Sequence, residues 1–219
     1  MLALQIINSN HPAIQLSDKI SLALQLMDDY DVQHLAVISE EKFIGLIAKE
    51  DLLDADEKLS IISLEYQLIK ISIRPQEHFL AALKLAENFG LTIVPVVTTE
   101  KELLGVITQK NLLHALSNFN SVEEPGGIIV LEMERRNFSF GELSRLVETN
   151  DAIITQLNTT TDTATGLLLV TIKLNKTEIS DIIATFQRYE YIIRYYFGEE
   201  LYENELKENY DLLMTYLKM

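Results

Sequence analysis

The sequence has no cysteine among its 219 residues. That excludes disulfides, thiolate nucleophiles and thiolate metal sites, and it fits a reducing compartment. Basic residues are scarce too: 18 Lys and Arg stand against 33 Asp and Glu, a formal net charge of −15. The acidic excess is spread over both halves, so neither offers the positive field that a phosphate backbone requires. No nucleic acid and no membrane surface is expected as a partner, the anionic bilayer being disfavoured by the same charge. No apolar run approaches the roughly 18–20 residues of a membrane span. Met1-Leu2-Ala3-Leu4-Gln5 lacks the basic start and long apolar core of a secretion signal. Together these absences predict a cytoplasmic protein.

Catalytic signatures are missing as well. There is no G-x-S-x-G elbow, no G-x-x-x-x-G-K-[ST] loop and no H-E-x-x-H pair. The four histidines, His11, His34, His78 and His114, are scattered, with no metal-ligand spacing. His34 adjoins a buried-strand pattern and is read as structural. Carboxylates sit mostly in runs such as Asp28-Asp29, which read as solvated faces. No enzyme activity, no metal and no required cofactor are therefore expected.

What the chain has is a core and a repeat. Hydrophobic residues make up 47% and charged residues 23%, a balance that favours packing over disorder. Residues 18–55 and 77–115 are similar at a period of about 60 residues. Leu24 aligns with Leu83, Leu26 with Leu85, Tyr30 with Phe89 and Val37 with Val96. One extra residue in the second turn shifts the offset, after which Gly45 meets Gly105 and Leu52-Leu53 meets Leu112-Leu113. Each copy reads strand, helix, strand, strand, helix. In the first, Ala13–Leu16 is extended, Leu22, Leu26, Met27 and Tyr30 recur at helical spacing, and His34–Ile38 and Phe43–Ile47 are short apolar runs. Asp18 is placed to cap the first helix and Pro75 to start its counterpart. Leu59–Tyr66 is expected to link the copies as a helix. A three-stranded unit of this size cannot bury its sheet alone, so the two copies are expected to share one core. Gly45 and Gly105 are placed at the mouths of strand-to-helix passages.

The run Gly105-Val106-Ile107-Thr108-Gln109-Lys110-Asn111 resembles the end of a CBS repeat, where Ser/Thr precedes Asp by three positions. His34-Leu35-Ala36-Val37-Ile38 and Ile93-Val94-Pro95-Val96-Val97 resemble the apolar-Pro-Val-Val strand of that family. The resemblance covers roughly residues 8–118 and implies a Bateman module: a CBS pair whose two clefts take adenosine-type ligands such as AMP, ADP or ATP. In that family the hydroxyl faces phosphate and the Asp accepts from the ribose. The implied second cleft comprises Ile73, Arg74, Val94, Pro95, Thr108, Lys110 and Asn111. The first comprises Ile14, Leu35, Ala36 and Asp51. Each departs from the pattern: Asn111 stands for Asp in one, and Ala48 for the hydroxyl in the other. Asn is neutral and presents one carbonyl oxygen, so it holds a ribose less strongly.

Pro125-Gly126-Gly127 marks a boundary. Beyond it the pattern reads strand Ile128–Glu134, helix Ser139–Thr149, strand Ala152–Asn158, strand Leu167–Leu174, helix Glu178–Tyr189 and strand Tyr191–Tyr196, a ferredoxin-like βαββαβ order. Asn137-Phe138-Ser139-Phe140-Gly141 resembles the ACT-domain loop, although Phe140 replaces its proline. That resemblance implies a dimerisation module or an amino-acid site at Asn137, Ser139 and Gly141, with Arg135 and Arg136 at hand for a carboxylate. A C-terminal amphipathic helix, with Tyr202, Leu206, Tyr210, Leu213 and Leu217 in one stripe, is expected over 199–219. The expected fold is thus α+β: CBS repeats over 1–60 and 61–120, an ACT-like domain over 127–198, then that helix. The domain order resembles the acetoin-utilisation regulatory family. The function expected is a homodimeric, non-catalytic regulator that binds a small molecule in its CBS clefts. The alternatives are a structural dimer adaptor with degenerate clefts, or an amino-acid sensor acting through the ACT-like domain.

Overall fold

The computed structural model describes residues 1–198. The expected helix over 199–219 lies outside the described residues. The chain divides into two compact units, one ending at Phe119 and the other beginning at Asn120.

In the first unit the leading repeat runs β1 (Ala13–Gln15), α1 (Ile20–Asp29), β2 (His34–Ser39), β3 (Lys42–Ala48) and α2 (Lys49–Leu53). The sheet order is β1-β2-β3, with β1 parallel and β3 antiparallel to β2. The β2–β3 turn carries Glu40 and Glu41 at φ of 49° and 66°, the twist a two-residue hairpin demands. The second repeat follows as α3 (Phe79–Phe89), β4 (Ile93–Val97), β5 (Leu103–Thr108) and α4 (Gln109–Phe119). Its leading strand is reduced to one parallel bridge from Ile73 to Val96. Ile14, Met27, Leu35, Leu46, Ile73, Ile93 and Ile107, drawn from both copies, are buried in one shared core.

Three local expectations are corrected. Asp18 does not cap α1; its carboxylate accepts from the Gln15 N–H at 2.9 Å, and Lys19 occupies the cap position. Pro75 does not start α3, which begins at Phe79 behind a His78 cap and ends at left-handed Gly90. The link between copies is a 3₁₀ stretch, Ile61–Gln67, kinked at Leu64.

The copies are laced together by backbone. The segment leading into the first repeat pairs with β5 of the second: Asn8 N–H donates to Val106 O at 2.7 Å, and Val106 N–H returns the bond at 3.2 Å. The segment leading into the second repeat pairs with β3 of the first, Leu46 and Ile69 exchanging bonds of 2.9 Å. This settles what the repeated glycines do. Neither stands at a strand-to-helix passage. Each lies inside a strand where the other copy's incoming segment crosses, and a Cβ at Gly105 would sit 2.8 Å from Asn8 O.

The second unit is β6 (Ile128–Met133), α5 (Phe140–Glu148), β7 (Ile154–Thr161), β8 (Leu168–Leu174), α6 (Ser180–Arg188) and β9 (Ile192–Phe197). Its antiparallel sheet has the order β7-β8-β6-β9, and the connection is βαββαβ as expected. Alternation explains the packing: Leu168, Val170, Ile172 and Leu174 on β8 are buried, and the residues between them are half-exposed. Leu143, Leu146, Ile182 and Phe186 from the two helices close this core.

Candidate functional site

In the first unit, chemistry gathers where strands hand over to α2 and α4. β5 ends at Thr108, whose partner across the ladder is Ile93, and α4 starts at the next residue. Thr108 and Asn111 form a reciprocal cap. Asn111 Oδ1 accepts from the Thr108 N–H at 3.2 Å and from its hydroxyl at 2.6 Å, and Thr108 Oγ1 accepts from the Asn111 N–H at 3.2 Å. Such a cap satisfies amides that a helix start leaves without intrahelical partners. Arg74 and Lys110 are exposed, and Thr108 and Asn111 half-buried. Ile73, Val94 and Pro95 are instead buried; Ile73 N–H donates to Pro95 O at 2.9 Å, so the three belong to one stretch of sheet.

At the matching position of the first repeat, β3 ends at Ala48 opposite His34, and α2 spans only five residues. Ala48 makes no side-chain cap, and Asp51 is half-buried in the first turn of α2. Lys49 forms an ion pair with Asp28 of α1. Ile14, Leu35 and Ala36 are fully buried in the shared core.

Between these two ends stands His34, 8% exposed. Burial pushes its imidazole below the ordinary histidine range, while nearby Glu50 and Asp51 pull it upward. Its Nδ1 accepts from the Thr92 N–H at 3.3 Å, so the ring proton belongs on Nε2. The Thr92 partner, 58 positions away, had no sequence signal. A cavity of about 440 Å³ involves Ser9, His11, Glu41, Glu102 and Gly105, towards the start of β5, whereas Thr108 ends that strand.

The second unit holds a cavity of about 730 Å³ whose lining includes Asn137, Phe138, Ser139, Glu142, Tyr189 and Tyr191. The β6–α5 loop, the α6–β9 loop and the start of β8 meet at this end of the sheet. Ser139 caps α5, its hydroxyl accepting from the Glu142 N–H at 3.4 Å. Gly141 is the second residue of α5, and a Cβ there would meet open space. Arg135 donates to Thr161 Oγ1 at 3.2 Å, and Arg136 pairs with Glu134 at 2.6 Å, so both guanidinium groups have partners within the chain. Burial and the Glu142 carboxylate hold the Tyr191 hydroxyl above the usual tyrosine range. Glu142, Tyr189 and Tyr191 were not singled out from sequence. The signal for them was topological, since a βαββαβ order places both loops at one end of the sheet. Among the described residues, no cluster of three or more His, Asp or Glu is arranged to hold a metal ion. No helix of the described residues is long and apolar enough to cross a membrane.

Residues 3–58 and 69–118 each match the CBS domain family. The chain thus carries two CBS domains in tandem, and they make up the first unit. Among solved structures, a CBS domain pair/ACT domain protein from Thermotoga maritima is similar at 25% identity and a TM-score of 0.50, over 54% of this chain and 98% of that one. A protein assigned to acetoin utilization, from Vibrio cholerae, is similar at 16% identity and a TM-score of 0.49, over 57% and 96% of the two chains. Inosine-5'-monophosphate dehydrogenase of Korarchaeum cryptofilum is 25% identical over 114 residues, which are 52% of this chain and 24% of that protein. The chain therefore spans only a quarter or so of that curated relative, a length that matches the CBS pair.

Proposed function

We propose that this protein is a non-catalytic regulator whose CBS pair takes an adenosine nucleotide at the Thr108–Asn111 end. The observation that supports this is the hydroxyl-capped start of α4. There the helix dipole and the exposed cations Lys110 and Arg74 favour phosphate on a chain of net charge −15. Asn111 Nδ2 would address the ribose, and Ile73, Val94 and Pro95, whose side chains are buried, would only back the wall behind the base. The first cleft keeps Asp51 but offers Ala48 and a five-residue helix, so it is the weaker anion site. In calorimetric titration of AMP, ADP and ATP, Thr108→Ala is expected to weaken binding about tenfold, the loss of one hydrogen bond to a charged group. Asp51→Ala leaves it nearly unchanged. No uptake by the wild type, or the reverse order of effects, refutes the reading.

A second reading concerns the unit that follows. Its βαββαβ order and the cavity beside Asn137 and Ser139 support an ACT-like amino-acid site. Amino acids in the same titration would then bind, with Ser139→Ala weakening them. The protein is further proposed to act as a homodimer. Leu53 and Leu113 hold equivalent positions in the two copies and are 65% and 70% exposed, apolar area that a second subunit would cover. Light scattering at micromolar concentration should return twice the chain mass; 25.0 kDa alone would rule the dimer out.

A further inference from the structure

The two helix starts are not independent. Lys49, the first residue of α2, donates its N–H to Gln33 O at 2.8 Å. Gln33 donates its own N–H to Thr92 Oγ1 at 3.0 Å. Thr92 Oγ1 also lies 3.1 Å from His34 Nδ1, which accepts from the Thr92 N–H at 3.3 Å. Thr92 O accepts from the N–H of Gln109, the first residue of α4, at 3.2 Å. An unbroken run of hydrogen bonds therefore leads from the first residue of one helix to the first residue of the other.

The arrangement follows from the repeat. Gln33 and Thr92 are equivalent positions, each just ahead of a central strand, and each offers its backbone N–H to a side chain from the other copy. Exact symmetry would put an apolar residue where the acceptor is needed, because the counterpart of His34 is Ile93. The exchange works here because one copy supplies the imidazole and the other the hydroxyl. Nδ1 is an acceptor only with the ring proton on Nε2, so the Thr92 hydroxyl points its hydrogen at His34 and leaves its lone pairs for Gln33. His34 is buried in the core rather than free to swing, which fixes this geometry.

We infer that His34 and Thr92 are positioning residues that couple the two helix starts, so that a change at Asp51 moves the Thr108–Asn111 backbone while leaving its contacts to a nucleotide in place. Its functional weight rests on the nucleotide reading above, but the coupling itself can be read without any ligand. Asp51 stands in the first turn of α2, two residues after Lys49, where the run of hydrogen bonds begins. In the full-length protein, Asp51→Asn is expected to shift the backbone amide resonances of Gln109, Lys110 and Asn111. In a Thr92→Val background, which keeps the side-chain shape and removes the hydroxyl, those shifts should vanish. His34→Leu should abolish them as well. His34→Asn should restore them, because the Asn carbonyl oxygen can stand where Nδ1 does. A merely structural role would leave the Asp51→Asn shifts at Gln109, Lys110 and Asn111 the same size whether or not Thr92 carries its hydroxyl. Shifts of equal size in the wild-type and Thr92→Val backgrounds, or none in the wild type, overturn the coupling. In a parallel AMP titration Thr92→Val should bind at least about fivefold more weakly, the lower end of usual coupling between sites. If the wild type takes up no AMP, the nucleotide reading fails and the amide shifts alone decide the coupling.

Discussion

Replacing Gly105 by Ala should cost the first unit about 3 kcal/mol, as overpacking and backbone strain fall on one residue. Gly105 has φ of +151°, a region that side chains rarely adopt, and its added Cβ would lie 2.8 Å from Asn8 O and 3.1 Å from Ser9 Cα. Both are backbone atoms, so no side chain can turn aside. The incoming segment must move, and the two bonds between Asn8 and Val106 go with it. The melting temperature should fall by about 10 °C, given the usual size scaling. Gly45→Ala should be milder, since its φ is ordinary and the nearest atom, at 2.8 Å, is Leu68 Cβ. Gly141→Ala serves as the control, with open space around it and a helical backbone. A Gly105→Ala melting curve that overlays that control would show that the crossing segment yields at no cost.

The second large effect is expected at Phe186. Its ring is fully buried on α6 and meets Tyr191 edge-on, with centroids 5.6 Å apart. Removing it leaves a cavity among Leu143, Leu146 and Ile182, and such losses usually cost about 3–5 kcal/mol. Tyr191 also lines the cavity beside Asn137, so Phe186→Ala takes away the support on one side of that wall. Denaturant unfolding should show the loss as a lower midpoint with an unchanged slope. A midpoint unchanged within error would mean that the ring contributes no packing to this core.

Much of the fold was legible because apolar periodicity is strong here. The strands of the second unit fall within a few residues of their expected ends, and β2 and β3 sit where His34–Ile38 and Phe43–Ile47 pointed. What periodicity cannot carry is pairing at long range. The glycines were visible as a repeated pair, yet their role depends on segments that approach from the other copy, so they were misplaced at helix mouths. Thr108 and Asn111 were found through the resemblance to the end of a CBS repeat, a pattern carried by residues close together in sequence. His34 and Thr92 meet through tertiary packing, and neither has a neighbour in sequence that announces the other. Asp18 and Pro75 were assigned as helix starts on residue type; the chain uses Lys19 and His78 instead, the Asp18 carboxylate being taken by its own turn.

The lacing of the two copies bears on how the chain is made. The segment around Asn8 emerges from the ribosome about a hundred residues ahead of its partner at Val106, a separation that slows folding. During that interval the first copy has β3 without the Ile69 segment and a lead-in without its strand. A half-length chain would face the same deficit and could remedy it only by trading segments with an identical molecule. In the duplicated chain that exchange takes place within one molecule, and neither half can complete its pairing before the other is synthesised.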